Sequence, residues 1–215
     1  MYCPASFRED RLEVLHALMR SHRLATLVTA GEGGLLANLV PFTLVADSPA
    51  GGPGLLRAHL ARANGQVDAL RAGTPALVIF QGPQSYVTPS WYATKAETGK
   101  VVPTWNFVMV QARGTPHVVD EADWIHAQIS ELTHSQESPR AEPWHVSDAP
   151  EPYIAAQMRA IVGVEIPIER LEGKWKVSQN HPEANRQGVV DGLRREGGNE
   201  AMAQLVAERG TSRPG

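Results

Sequence analysis

Four short segments carry polar side chains where a plain strand or turn does not require them: 38–41, HLARAN at 59–64, VPTWNF at 102–107 and GKWKVSQN at 173–180. In HLARAN an apolar strand delivers His59 to its end, and the chain turns with Arg62 and Asn64 exposed on the turn. Backbone N–H groups at such a turn, together with a guanidinium fork, suit a phosphate. Taken singly, Arg62 reads more readily as a solvated surface arginine and His59 as a satisfied, partly buried histidine than as ligand contacts. In VPTWNF the indole of Trp105 sets an apolar plate beside the amide of Asn106, although core packing explains Trp105 as well. Side chains alternate along a strand, so GKWKVSQN puts Lys174, Lys176 and Ser178 on one face and Trp175 and Val177 on the other. That cationic face is either solvated or turned, with Gln179 and Asn180, to an anionic ligand that forms hydrogen bonds.

The elements that must position these residues are legible from periodicity. Ser6 and Glu9 at capping-box spacing open a helix over 6–21, with Leu12, Leu15, Leu18 and Met19 on one face. LATLVTA, a Gly-rich turn at 31–34 and LLANLVPFTLV read as a hairpin, with Asn38 on its second arm and Pro41 suited to an edge. DSPAGGPG is a turn cluster, LLRAHL a further strand, and 66–71 a short helix. PALVIFQG and the run from 101 to 119 read as strands, with a long loop over 82–100 between them. Helices are expected over 120–133 and 152–161, strand character returns at 162–180, and two short helices flank Gly197-Gly198 before a frayed tail, GTSRPG. Short strands with helices at the start, middle and end predict an α+β fold with an antiparallel β-barrel. Residues 1–180 are expected to form the barrel domain and 181–215 a C-terminal helical extension with a tail.

Composition narrows the function. A chain of 215 residues with 42% hydrophobic residues supports one main core. A net charge of −3 gives no global attraction to nucleic acid or to an anionic membrane. One cysteine, Cys3, excludes an intramolecular disulfide framework and multi-cysteine metal sites, which fits a cytoplasmic setting. There is no run of about 18 apolar residues and no export signal, so no membrane partner is expected. Rossmann, P-loop, G-x-S-x-G and H-E-x-x-H signatures are all missing, and no metal is expected.

The blocks LVPFTL, HLARANGQ, IFQGPQSYVTPSWYATK, VPTWNFVMVQARG and IVGVEIPIERLEGKWKVSQN occur in an order that resembles the PaiB family of FMN-binding regulators. With MYCPASFREDR, they extend from the first residue to about Asn180. That resemblance implies an FMN-binding split β-barrel, a homodimer with flavin sites along the subunit interface, and FMN as cofactor. It places His59, Leu60, Ala61, Arg62 and Asn64 along the ribityl phosphate, with Arg62 as the main cation. It puts Trp105 and Asn106 on the ring side, and Lys176, Ser178 and Gln179 close the site from either subunit. Asn38 is added from the polar edge of the hairpin. Two departures stand out: Gly65 replaces a usual proline, and Phe107 a usual tyrosine, which forfeits a hydroxyl.

Two functions compete, with a third behind them. The first is a flavin-linked negative transcriptional regulator, although the only candidate DNA-reading segment, GLRREGGNEAMAQLVAER, has an interrupted pattern and mixed charge. The second is an FMN-dependent oxidoreductase of the pyridoxamine phosphate oxidase or flavin reductase kind, with a nicotinamide nucleotide as partner. Its lid would be the loop 82–100 with Tyr86, Trp91, Tyr92 and Lys95, which reads equally as a structural loop anchored by aromatics. Haem binding or degradation ranks below both.

Overall fold

The computed structural model describes residues 1–31, 33–48 and 51–210. Glu32 of the expected hairpin turn, part of the DSPAGGPG cluster and nearly all of the expected tail lie outside them. The elements in chain order are a 3-10 turn (Ala5–Phe7), β1 (Arg8–Glu9), α1 (Leu12–Ser21), β2 (Leu24–Gly31), β3 (Gly34–Pro41), β4 (Thr43–Val45), β5 (Leu55–Ala61) and α2 (Gln66–Arg71). Then come β6 (Ala76–Val87), a 3-10 turn (Pro89–Trp91), α3 (Thr94–Thr98), β7 (Thr104–Gly114), β8 (His117–Val119) and α4 (Ala122–Glu137). A third 3-10 turn (Val146–Asp148), α5 (Glu151–Arg159), β9 (Ile161–Pro167), β10 (Arg170–Lys176), α6 (Glu183–Arg195) and α7 (Glu200–Gly210) complete the order. No helix among the described residues is long and apolar enough to cross a membrane.

The chain divides into two units. One comprises His16–Phe80 and Gln111–Leu171. Its four-stranded sheet runs β4-β5-β9-β8 with antiparallel neighbours, and the register pairs His59 with Gly163 and Leu60 with Val162. In the same unit β2 lies between β3 and the first half of β6. Alternation sends Ala25, Leu27 and Thr29 inward, where they are buried, and Phe42 meets Phe80 edge to face at 6.1 Å. Pro41 closes β3 on the sheet edge, where its missing N–H costs no ladder bond. Trp124 docks α4 onto this sheet. A Cβ at residue 163 would stand 2.2 Å from its ring, so only glycine admits the indole there. The Trp124 Nε1–H donates to Glu165 at 3.0 Å, and Arg57 donates to the same carboxylate at 2.9 Å.

The other unit comprises Met1–Leu15, Gln81–Val110 and the chain from Glu172 onward. Here β1, β10, β7 and the second half of β6 are ordered side by side. Helices α6 and α7 close on each other through buried Val189, Val190 and Leu193 and buried Met202, Ala203 and Val206. Trp91 packs onto α6, where a Cβ at residue 192 would stand 2.3 Å from its indole, and its Nε1–H donates to Glu196 at 3.0 Å.

Two expectations need correction. The helix expected over 6–21 begins only at Leu12, because Glu9 does not close a capping box: its carboxylate accepts from the Arg11 backbone and side chain and from Arg209. Leu15, Leu18 and Met19 are buried as their spacing requires, while Leu12 is exposed. The segment 82–100 is not a long loop. β6 continues through it to Val87, and Thr88 accepts from the Ser90 N–H to start a 3-10 turn that leads to α3.

Candidate functional site

In the unit that holds β10, a cleft of about 450 Å³ opens beside Lys176, Asn106, Ser178, Tyr92 and His181. β7 presents Thr104 and Asn106 on one face by alternation, and β10 brings Lys176 opposite. The Lys176 ammonium donates to Thr104 Oγ1 and to the Trp105 carbonyl. No carboxylate pairs with it among the described residues. Burial and, after it, the charge of Lys174 push its pKa below the ordinary lysine value. Ser178 follows the end of β10 in the left-handed region, at φ 63°, an uncommon conformation for a residue other than glycine. It is thereby buried against Asn106, whose Nδ2 donates to Ser178 Oγ at 2.9 Å, while that hydroxyl lies 3.2 Å from Asn106 Oδ1.

Tyr92 stacks on His181 with ring centroids 4.9 Å apart. Burial raises the pKa of the phenol, and its buried hydroxyl has no partner among the described residues. Burial, helped by the charge of Lys176, lowers the pKa of His181, which favours a neutral imidazole. Asn185 ties α3 to α6 at the rim by exchanging hydrogen bonds with the backbone and hydroxyl of Thr94.

Of the residues expected on the ring side or closing the site, Asn106, Lys176 and Ser178 share this cleft. Trp105 projects from the other face of β7, half-exposed, and meets Tyr86 edge to face at 6.0 Å. Gln179 braces its own turn, accepting from the Val177 N–H and donating to the Ser6 and Trp175 carbonyls. Tyr92 and His181 were not singled out as ligand contacts, because neither lies in a periodic pattern. The fold alone brings them to Lys176.

In the other unit, the turn after β5 is held by its own contacts. The three guanidinium nitrogens of Arg62 donate to Asp120 at 2.8 Å, to the Arg159 carbonyl at 3.2 Å and to the Ile161 carbonyl at 3.0 Å. Two of the five guanidinium N–H groups remain. Arg71 also binds Asp120, and Arg71 first, then Arg62, hold that carboxyl at a pKa of about 2. Two arginines around one carboxylate leave a positive charge at the end of β5. Asn64 Oδ1 accepts from the Gln66 N–H at 2.9 Å and so fixes the start of α2. Buried Gln66 is the organiser that sequence reading missed: it accepts from Asn38 at 2.9 Å and donates to the Leu27 carbonyl and Thr29 hydroxyl, both at 3.1 Å. His59 Nδ1 lies 2.7 Å from Gln128 Oε1 on α4, Leu60 is buried and Ala61 is exposed.

The donor chemistry of the first cleft fits a flavin. An uncompensated cation, an unpartnered phenol and a neutral imidazole suit an electron-rich, carbonyl-bearing heteroaromatic edge, whereas a divalent metal would find no cluster of ligands among the described residues. The β5 turn offers charge for a phosphate, though most of the Arg62 donors are already engaged.

A model of the family described as "Putative FMN-binding domain" matches residues 1–170. The chain is 36% identical over 245 aligned positions to an uncharacterized protein of Emericella nidulans, with 98% of each chain covered. It is 27% identical over 213 positions to the protease synthase and sporulation protein PAI 2 of Bacillus subtilis, covering 97% of this chain and 98% of that one. The solved FAD and haem binding protein from Mycobacterium smegmatis aligns with a TM-score of 0.58 at 19% identity, over 79% of this chain and 73% of that chain, a likeness of fold. The chain therefore belongs to this FMN-binding domain family, the PaiB-type family of α+β antiparallel split barrels that its sequence blocks resemble, and its ligand class is a flavin.

Proposed function

We propose that the protein binds FMN at the cleft of Lys176, Asn106, Ser178 and Tyr92 and works as a flavin-linked negative regulator of the PaiB type. The observation that carries this reading is the Lys176 ammonium, partly buried and without a carboxylate partner among the described residues. A half-buried cation is costly unless a ligand compensates it, and the electron-rich edge of a flavin does so. The end of β5, with Asn38, His59, Leu60, Ala61, Arg62 and Asn64, is proposed as the phosphate end, supplied by the partner protomer of a homodimer. Trp105 and Gln179 are proposed to act from the partner or by bracing the turn.

The regulatory half of the proposal draws support from the Bacillus subtilis relative, named for protease synthesis and sporulation. Base reading by α6 and α7 is no part of this proposal. Arg194 is paired with Glu200 at 3.0 Å and Arg209 with Glu9, so DNA contact by this segment would first break those pairs. A homodimer is supported by the outer face of β2 and β3, where Leu24, Leu35 and Leu39 are 59%, 79% and 66% exposed and lie beside Val28 and Ala37. The cytoplasmic setting remains part of the same proposal.

A second reading, an FMN-dependent oxidoreductase, is favoured by the two proton-bearing groups, the Tyr92 phenol and the Lys176 ammonium, in one cleft. FMN-loaded protein mixed anaerobically with NADH or NADPH separates the two. Persistence of the flavin band supports the regulator, and bleaching within seconds supports the oxidoreductase.

A further inference from the structure

Helix α5 has an apolar stripe, Ile154, Ala155 and Met158, at the spacing of one helical face, yet no residue of the helix is buried. A helix of nine residues is only marginally stable alone and depends on burying such a stripe. Instead the stripe borders a cleft of about 870 Å³, within the size range of small-molecule sites, whose opposite wall is Ile125 of α4 and Val146 of the intervening 3-10 turn. Both of those residues are buried.

Charge along the cleft is polarised. Arg62 donates its backbone N–H to the Ala160 carbonyl and its Nε to the Arg159 carbonyl, which fixes it at the C-terminal end of α5. Arg159 is exposed at the same end, without a carboxylate partner among the described residues, and Arg71 reaches the shared Asp120 there. Arg62 and Arg71 share Asp120, Asp68 also acts on Arg71, and Arg159 stands at this end without an ion pair among the described residues. Glu151 opens the helix at its other end, roughly 12 Å away.

We propose that this cleft binds a small amphipathic carboxylate, its head at Arg159 and its apolar body along Ile154, Ala155 and Met158. The carboxylate supplies a counter-charge to Arg159, and the apolar body covers the stripe that the protein leaves open. This is an effector site distinct from the flavin cleft of Lys176. Its ligand gives a regulator an input other than the flavin.

The test uses decanoate as probe on the full chain carrying 13C-methyl methionine, with decanol as the same tail without the charge. The expected result is saturable binding that shifts the Met158 methyl, at least tenfold tighter for decanoate than for decanol. Arg159→Ala should remove that preference, and Ala155→Trp, which fills the cleft, should abolish binding. Because the methyl shift is read on the unaltered protein, misfolding of a variant does not spare the proposal. No saturable Met158 shift, or equal binding of decanol, would overturn it, and neither outcome bears on flavin binding at Lys176.

Discussion

Lys176 shows how far residue types and alternation carry. The pattern of GKWKVSQN puts Trp175 and Val177 on one face and both lysines on the other, and the structure buries the first pair and leaves the lysines partly exposed. It could not show that Ser178 turns into the left-handed region and inward to Asn106, because that depends on a partner 72 positions away. For the same reason Tyr92, His181 and Gln66 were illegible as organising residues. Two consequences of the lowered Lys176 pKa have opposite signs. Between the depressed value and 10.5, the unfolded chain holds the proton more tightly, so stability of the flavin-free protein rises with pH through that window. FMN affinity falls over the same window as the cation is lost. Lys176→Met should weaken FMN binding by about 1.5–3 kcal/mol, roughly ten- to a hundredfold, and raise the Tm of the flavin-free protein. Paired FMN titrations and thermal melts from pH 7 to 11 check both, and a lowered Tm in the variant would contradict the desolvation argument.

At the scale of elements, strands with clear alternation and helices with a strong apolar stripe were legible to within a few residues, whereas 82–100 was not. Its 3-10 turn and α3 are held by Thr88, by Asn185 and by Trp91 against α6, contacts no local pattern encodes. This gives the anchored-loop reading a definite test. Gly192→Ala would drive a methyl into the Trp91 indole and should cost about 1–3 kcal/mol in urea unfolding, with a change in tryptophan emission. An unchanged midpoint would show that the anchoring is not tight.

The clamp of Arg62, Arg71 and Asp120 behaves differently, because it is partly exposed and each pair contributes little. Asp120 has a pKa depressed from 3.8 to about 2, so its contribution is present above pH 3.8 and is lost as pH falls through about 2. Asp120→Asn should lose roughly 1 kcal/mol at pH 7 and show a shallower decline between pH 4 and 2. The decline should not vanish. Glu9, which burial pushes up but hydrogen bonds from Arg11 and Arg209 hold at about 2, titrates in the same window. Identical acid unfolding curves for the variant and the parent would remove Asp120 from this role.

At the scale of the molecule, fold class was readable because the strands are short, antiparallel and separated by turns, and the blocks that resemble the PaiB family span most of the chain. What the strands do collectively was not. The same alternation that buries Leu27 leaves Leu35 and Leu39 on an apolar outer face, which accounts for leucines that serve no core. Light scattering at micromolar concentration should therefore report a dimer, and Leu39→Glu, which places a charge on that face, should report a monomer with unchanged circular dichroism. A monomeric parent protein would contradict the proposed assembly.

The most direct test of the central claim is a visible absorption titration of FMN into the purified protein and into Lys176→Met. The account predicts saturable perturbation of the flavin band by the parent protein and a clearly weaker response from the variant. A flavin spectrum that the parent protein leaves unchanged would contradict it.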